Sequence, residues 1–320
     1  MDILLSGSVA FDYLMTFPGL FQEQILPERL ASISLSFLVD SMSRQRGGTA
    51  PNIAFTLALL GERPRLIATV GEDFDEYRAW LEKHGVDTAW AKLVPGKYTA
   101  SFFATTDRSN AQIASFYPGA MADAATLSIK SVEKRPDLVV ISPTDPSAMK
   151  LHAAECRELG IPYLYDPSQQ VLRLEGEEIA QDMQGAHFLF VNDYEFGLIS
   201  KKTGLDLDGM LKRVDIIVVT RGEHGASIYA DGEEITVPVV PADRIIDPTG
   251  VGDAFRGGFL TGYAHGWDWQ VCGQMGAVAA TYCIEQNGTQ NHRYTREEFV
   301  LRFRKHFDDG GKLRELENRE

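Results

Sequence analysis

The residues best suited to chemistry form one run, Asp247-Pro248-Thr249-Gly250-Val251-Gly252-Asp253-Ala254-Phe255. It sets a carboxylate just beyond a Gly-x-Gly turn and directly ahead of a helical pattern. Gly250 and Gly252 permit a tight turn and a close backbone approach, while free N–H groups and the positive end of the helix dipole attract an anion. Asp253 adds nothing to affinity for that anion, because like charges repel. Its use there is as a base that takes a proton from an attacking hydroxyl. An ordinary glycine turn capped by an acidic residue has the same composition, so the run alone leaves both readings open.

The elements that must position this run alternate strand and helix, the pattern of a parallel sheet flanked by helices. A strand at Ile3 to Leu5 opens the chain, a helix from about Ala50 to Leu60 ends at Gly61, Leu66 to Val70 reads as a strand, and Phe74 to His84 as a helix stopped by Gly85. Leu138 to Ile141, Tyr163 to Tyr165, His187 to Val191 and Ile216 to Thr220 are further strands, with a helix from Ser147 to Leu159 ended by Gly160. The last two strands run into polar motifs at their C-terminal ends, where open α/β sheets bind ligands. Ser227 to Ala230 and Glu234 to Val237 flank Asp231-Gly232, a favoured hairpin dipeptide. Helices dominate from Val251 to about Phe307, and the charged tail from Asp308 is expected to fray.

Two early regions break the rhythm. One contains the apolar run Ser34 to Val39; the other, residues 97 to 117, holds two alternating runs joined by Asp107-Arg108-Ser109-Asn110. Alternation groups Tyr98, Ala100, Phe102 and Ala104 on one face, and Gln112, Ala114 and Phe116 on one face of the returning strand. Such a face suits a planar ligand, or packing of the small sheet on itself or on a second subunit.

Composition excludes several classes. The 320 residues include 44% hydrophobic ones, ample for a core, and the net charge of −14 argues against nonspecific binding to nucleic acid or an anionic membrane. Three cysteines, Cys156, Cys272 and Cys283, lack metal-ligand spacing and suit reduced thiols. The seven histidines are scattered. No basic segment precedes an apolar run at the N-terminus, and no stretch approaches about 18 apolar residues, so a soluble cytoplasmic protein is expected. The P-loop signature, a dinucleotide fingerprint after the first strand, H-E-x-x-H and G-x-S-x-G are all missing from the sequence.

Further motifs join the first run: Gly7-Ser8-Val9-Ala10-Phe11-Asp12, Gly47-Gly48-Thr49-Ala50-Pro51-Asn52, Asn192-Asp193-Tyr194-Glu195 and Thr220-Arg221-Gly222. With them the chain resembles the PfkB (ribokinase-like) family of carbohydrate and nucleoside kinases from residue 3 to about residue 300. Within that family, residues 34–40, 111–121 and 166–170 resemble adenosine kinases of actinobacterial type. The resemblance implies a ribokinase-like three-layer α/β fold, with a mostly parallel sheet flanked by helices. Residues 1–12, 47–96 and 118–310 would form the large domain, and 13–46 and 97–117 a small inserted β lid. It also implies ATP-dependent transfer of the γ-phosphate to the 5′-hydroxyl of a purine nucleoside, adenosine to AMP.

By the same resemblance Asp253 is the base, and the N–H groups of Gly250, Val251, Gly252 and Asp253 form the anion hole. Val251 replaces the alanine common in the family and keeps its N–H; Pro248 has none. Asp12 grips two adjacent sugar hydroxyls, Gly48 lets the substrate approach the backbone, and Asn52 bonds the ribose. Ser8 and Ser36 join the substrate set, Phe102 and Phe116 hold the purine, and Gln169 and Gln170 read its edges or the ribose. Asn192 and Glu195 organise Mg2+ through water, although the pair would also make an ordinary helix start. Thr220, Arg221, Gly222 and Gly225 line the nucleotide groove, bordered by Cys283 and Asn287; for Arg221 a surface salt bridge is the plain alternative. Asp247 and Thr249 match positions that bind a monovalent cation such as K+ in some members, and a homodimer through the lid is implied. A sugar kinase of ribokinase or fructokinase type is the alternative and calls for polar lid residues. A non-catalytic metabolite-binding protein is disfavoured by the retained Asp253.

Overall fold

The computed structural model describes residues 1–32 and 34–317. Nine strands form one twisted sheet: β1 (Ile3–Ser6), β4 (Arg65–Val70), β5 (Asp87–Leu93), β8 (Leu138–Ile141), β9 (Tyr163–Tyr165), β10 (Ala186–Asn192), β11 (Val214–Thr220), β12 (Ala226–Ala230) and β13 (Glu233–Val237). Their order is β13-β12-β11-β10-β9-β8-β1-β4-β5, parallel from β11 to β5 and antiparallel at β12 and β13. The central strands are near-continuous apolar runs because both faces are covered. Leu138 and Val140 of β8 enter a core with the helices Thr49–Leu59, Val251–Ala264, Trp269–Ile284 and Arg296–His306. Val139 and Ile141 enter the opposite core, with the helices Pro146–Leu159, Gly176–Asp182 and Asp193–Thr203. The result is three layers, helix, sheet and helix.

A second sheet of four strands has the order β3-β2-β6-β7, made of β2 (Ala10–Thr16), β3 (Ser41–Gly47), β6 (Ala100–Thr106) and β7 (Gln112–Tyr117). The apolar run from Ser34 to Val39, whose Ile33 neighbour lies outside the described residues, does not supply a strand; the pairing strand is the more polar Ser41–Gly47. β2 reaches from the large sheet's first loop into the small sheet, so Asp12 sits on a strand of that sheet. Asp12 pairs with Phe102, and Phe102 with Phe116, which puts all three on one face.

Most expected elements stand within two residues of their expected bounds. β5 and the helix Gly176–Asp182 carry too little periodicity to be read beforehand. The tail does not simply fray: Leu313 and Leu316 are fully buried, and Asp309 accepts the Leu313 N–H and pairs with Arg304. No helix among the described residues is long and apolar enough to cross a membrane.

Candidate active site

The C-terminal ends of the parallel strands open onto a cavity of about 540 Å3 between the two sheets. Its wall includes Ser8, Asp12, Gly48, Asn52, Phe102, Phe116, Gln169, Gln170, Thr249, Gly250 and Asp253. A wider charged depression of about 840 Å3 lies at the opposite edge, by the starts of β1 and β4. There the charges satisfy one another, Asp2 pairing with Arg65 at 2.7 Å and with Lys134 at 3.0 Å, so the chemistry belongs to the smaller cavity.

Gly250 caps the helix Val251–Ala264 at φ 78°, a left-handed conformation that brings its Cα within the space of Thr289; a Cβ there would lie 2.8 Å from Thr289 Cβ. Among the described residues no side chain caps this helix; the Val251 N–H turns back to Pro248 O at 3.4 Å, which leaves the N–H groups of Gly252 and Asp253 for a ligand, as helix starts allow. Asp253 projects from that first turn. Asn52 Nδ2 donates to Asp253 Oδ2 at 2.8 Å, and Asn52 is itself fixed, since its Oδ1 accepts from Gln290 Nε2 at 2.8 Å and lies 2.8 Å from Thr289 Oγ1. Gln290 in turn bonds the Tyr77 hydroxyl, which donates to Gly47 O.

Burial pushes Asp253 up to about 6; the Arg256 cation and the Asn52 bond oppose this, and Asp12 and Glu195 add to it. Asp12 also rises to about 6, through burial and the charge of Asp247. Both groups stay mostly ionised at neutral pH yet titrate within reach of it, which is where a general base works best. Gln170 donates to Thr144 O at 2.8 Å, while its Oε1 has no protein partner although the residue is buried in the cavity wall. An orphaned acceptor in such a place calls for a ligand donor.

The other expected positions lie around this centre. Asn192 and Glu195 form a reciprocal cap, Asn192 Oδ1 accepting from Glu195 N at 2.7 Å and Glu195 Oε2 from Asn192 N at 2.9 Å. The helix-start reading is therefore realised, with Glu195 Oε1 to spare. Thr220 ends β11, and Arg221 is turned to the hairpin, donating to the Tyr229 hydroxyl at 2.8 Å and pairing with Glu234 at 3.7 Å. Gly222 and Gly225 take positive φ in the turn between β11 and β12. Asp247 is pushed up by burial but held lower overall by the Thr249 hydroxyl and by the N–H groups of Thr249 and Gly288, the last two each at 2.9 Å.

Two expectations shift. Ser36 is exposed and does not reach the cavity wall, because its segment is irregular rather than a strand of the small sheet. Cys283 is fully buried with its thiol directed at Thr249 O, so it supports the loop before the helix Val251–Ala264 from beneath instead of facing a groove. Asn287 accepts from Gln45 Nε2 of β3 at 2.6 Å, tying the small sheet to the loop after the helix Trp269–Ile284. Among the described residues no three His, Cys, Asp or Glu side chains gather to hold a metal. Sequence reasoning missed Arg173 and Thr289 on the wall, and Arg256 behind it. The Asp-x-x-Arg spacing on one helix face was a readable signal for the last.

The chain matches the pfkB family carbohydrate kinase profile over residues 8–296. A nucleoside kinase of Methanocaldococcus jannaschii is 30% identical over 302 residues, spanning 94% of this chain and 96% of that protein. The structure of a Burkholderia thailandensis nucleoside kinase in complex with inosine superposes with a TM-score of 0.85 at 37% identity, covering 96% of this chain and 98% of that one. The same enzyme in complex with ADP-inosine gives a TM-score of 0.84 at 38% identity, with 96% of each chain covered. With the two-sheet frame and these matches, the chain belongs to the pfkB family of carbohydrate kinases, phosphotransferases with a hydroxyl acceptor on a ribokinase-like fold.

Proposed function

We propose that this chain transfers the γ-phosphate of ATP to the 5′-hydroxyl of a purine nucleoside, adenosine to AMP, as a soluble cytoplasmic enzyme of purine salvage. The observation that carries the reading is the register that sets Phe102 and Phe116 beside Asp12 on one cavity face. Aromatic rings give a flat base an apolar surface, and a carboxylate accepts from two adjacent ribose hydroxyls at once. Gln169 and the orphaned Gln170 Oε1 supply polar contacts for the ligand's remaining donors. Similarity to nucleoside kinases, one of them bound to inosine, supports the same substrate class.

In the step itself Asp253 takes the 5′-hydroxyl proton as that oxygen bonds the γ-phosphorus, and the bond from the γ-phosphorus to the β–γ bridging oxygen breaks, leaving ADP. The backbone N–H groups from Gly250 to Asp253, that of Val251 turning from Pro248 O, hold the charge on the transferring group. Thr220, Gly222, Gly225 and Asn287 border the nucleotide, and Arg221 leaves Tyr229 to meet its phosphates. Magnesium bound with the nucleotide would neutralise phosphate charge, and the spare Glu195 Oε1 suits one of its waters. The Asp247–Thr249 turn suits K+. Met42, Phe103 and Ile113, exposed on the outer face of the small sheet beside the open strand β7, suit a second copy of the chain.

The test is an ADP-release assay with Mg-ATP against adenosine, inosine, guanosine, ribose and fructose. Turnover on adenosine at low KM is expected; turnover on a sugar alone would refute the nucleoside reading. Phe116→Ala is expected to raise the nucleoside KM about five- to tenfold, near the low end of ring-stacking energies because Phe116 is half exposed, with ATP affinity changing less. An unchanged KM would make Phe116 a packing residue. The pH profile follows from the two carboxylates. Each acts ionised, so kcat/KM is lost as pH falls through about 6, and because both titrate there the fall steepens toward second order in protons. Asp12→Asn should return the residual activity to a first-order limb.

A further inference from the structure

Behind the cavity wall, Arg256 follows Asp253 by one helical turn and is buried, as is its partner Asp166 at the end of β9. Arg256 Nη2 donates to Asp166 Oδ1 at 2.8 Å, its Nε lies 2.6 Å from Asp166 Oδ2, and its Nη1 donates to Gly252 O at 2.9 Å. The guanidinium is thus held by one hydrogen bond and a second close charge contact to Asp166 on one side, Nε and Oδ2 being poorly aligned for a second bond, and by the Gly252 backbone on the other. The Phe190 ring closes a further side, 5.7 Å away.

The charges facing Asp253 are unbalanced without this group. Asp12 approaches from β2, Glu195 from the helix Asp193–Thr203 and Asp166 from the end of β9, all acidic, while the Tyr77 hydroxyl and the Cys283 thiol, both pushed up by burial, face it uncharged. Asn52, from the helix Thr49–Leu59, is neutral, and Arg256 is the cation that acts on Asp253. Building on the reading of Asp253 as base, we propose that Arg256, clamped by Asp166, is a positioning residue that keeps Asp253 ionised and in place. Arg256 is not among the residues lining the cavity; it acts through Asp253 and Gly252.

The role differs from that of a buried ion pair that only ties a helix to the sheet. A structural pair would change stability and lower turnover equally at every pH. A charge acting on Asp253 moves that group's titration, with a sign set by which partner is removed. Arg256→Met removes the cation, so the ionised form is less favoured and Asp253 takes up its proton at higher pH. Asp166→Asn leaves the cation uncompensated and moves the titration down.

The experiment is a 13C NMR titration of the aspartate side-chain carboxyls in the full-length protein, the Asp253 signal being assigned by its loss in Asp253→Asn. It is paired with kcat/KM against pH for adenosine and Mg-ATP. We expect Arg256→Met to raise the Asp253 midpoint by about one to three pH units, the range for losing an adjacent opposite charge, with turnover recovering at high pH. Asp166→Asn should lower the midpoint, and Arg256→Lys, which keeps the cation, should restore most of it. If Arg256→Met does not fold, Asp166→Asn with Arg256→Met removes both buried charges and should still raise the midpoint. An Asp253 midpoint unmoved by loss of Arg256 would overturn the assignment while leaving the base intact. Full turnover in Asp253→Asn would instead overturn the base, whatever Arg256 does.

Discussion

Asp253→Asn is expected to lower kcat by about 10² to 10⁴, or about 3 to 5 kcal/mol of barrier, the usual worth of a positioned base. The change is nearly isosteric, and the new side-chain oxygen still accepts from Asn52 Nδ2, so the fold and the anion loop should persist. Affinity for ATP should hold or improve, because a negative charge beside the phosphates and beside Asp12 is removed. Steady-state turnover and calorimetric titration with ATP check the two halves. Turnover within tenfold of the unmodified protein would remove Asp253 from the chemistry, and lost ATP binding would make it structural.

Gly48→Ala is expected to be nearly as damaging by another route. Gly48 sits at φ 93° and ψ 133°, a region essentially closed to residues with a side chain. Its added Cβ would lie 2.4 Å from Ser8 O and 2.8 Å from Ala10 N, both backbone atoms that cannot swing aside. Relief must displace the segment between β1 and β2, which carries Ser8 and leads into Asp12. We expect a loss of at least about 3 kcal/mol, seen as a fall of several degrees in Tm, with kcat/KM for the nucleoside reduced about a hundredfold. Gly232→Ala is the control: its φ of 80° is similar, but a Cβ there meets nothing within 4 Å, so only about 1 kcal/mol of backbone strain is expected and no kinetic change. Equal effects at the two positions would mean that the close approach at Gly48 does not shape the site.

Much of this arrangement was legible because local rules and the final packing agree. An apolar, β-branched run as short as Leu138 to Ile141, closed by Ser142-Pro143, suits a buried strand better than a helix, and glycines at 61, 85 and 160 stop the helices before them by taking positive φ. The cavity residues were legible from motif spacing and from the alternation that pairs Phe102 with Phe116. What was missed depends on distant partners. Thr289 and Gln290 matter only because folding brings them to Asn52, more than 230 positions away in the chain, and Arg256 only because Asp166 meets it across 90 positions. The run from Ser34 to Val39 misled because hydrophobicity alone does not say which of two neighbouring segments has a strand to pair with; Ser41–Gly47 has β2 opposite it in full register. The tail misled in the other direction, its charges concealing two leucines that complete the core.

The Gln45–Asn287 bond gives the molecule a thermodynamic symmetry. Gln45 belongs to the small sheet, whose inner face is proposed to hold the nucleoside, and Asn287 precedes Gly288, whose N–H is held by the Asp247 carboxylate just ahead of the Gly250 turn. Any nucleoside that draws the small sheet inward pulls on that bond and so biases the segment proposed to border ATP. Linkage then requires ATP to alter nucleoside affinity by the same factor, so any change that weakens that bond should alter both halves of the coupling together while leaving each ligand's own contacts untouched.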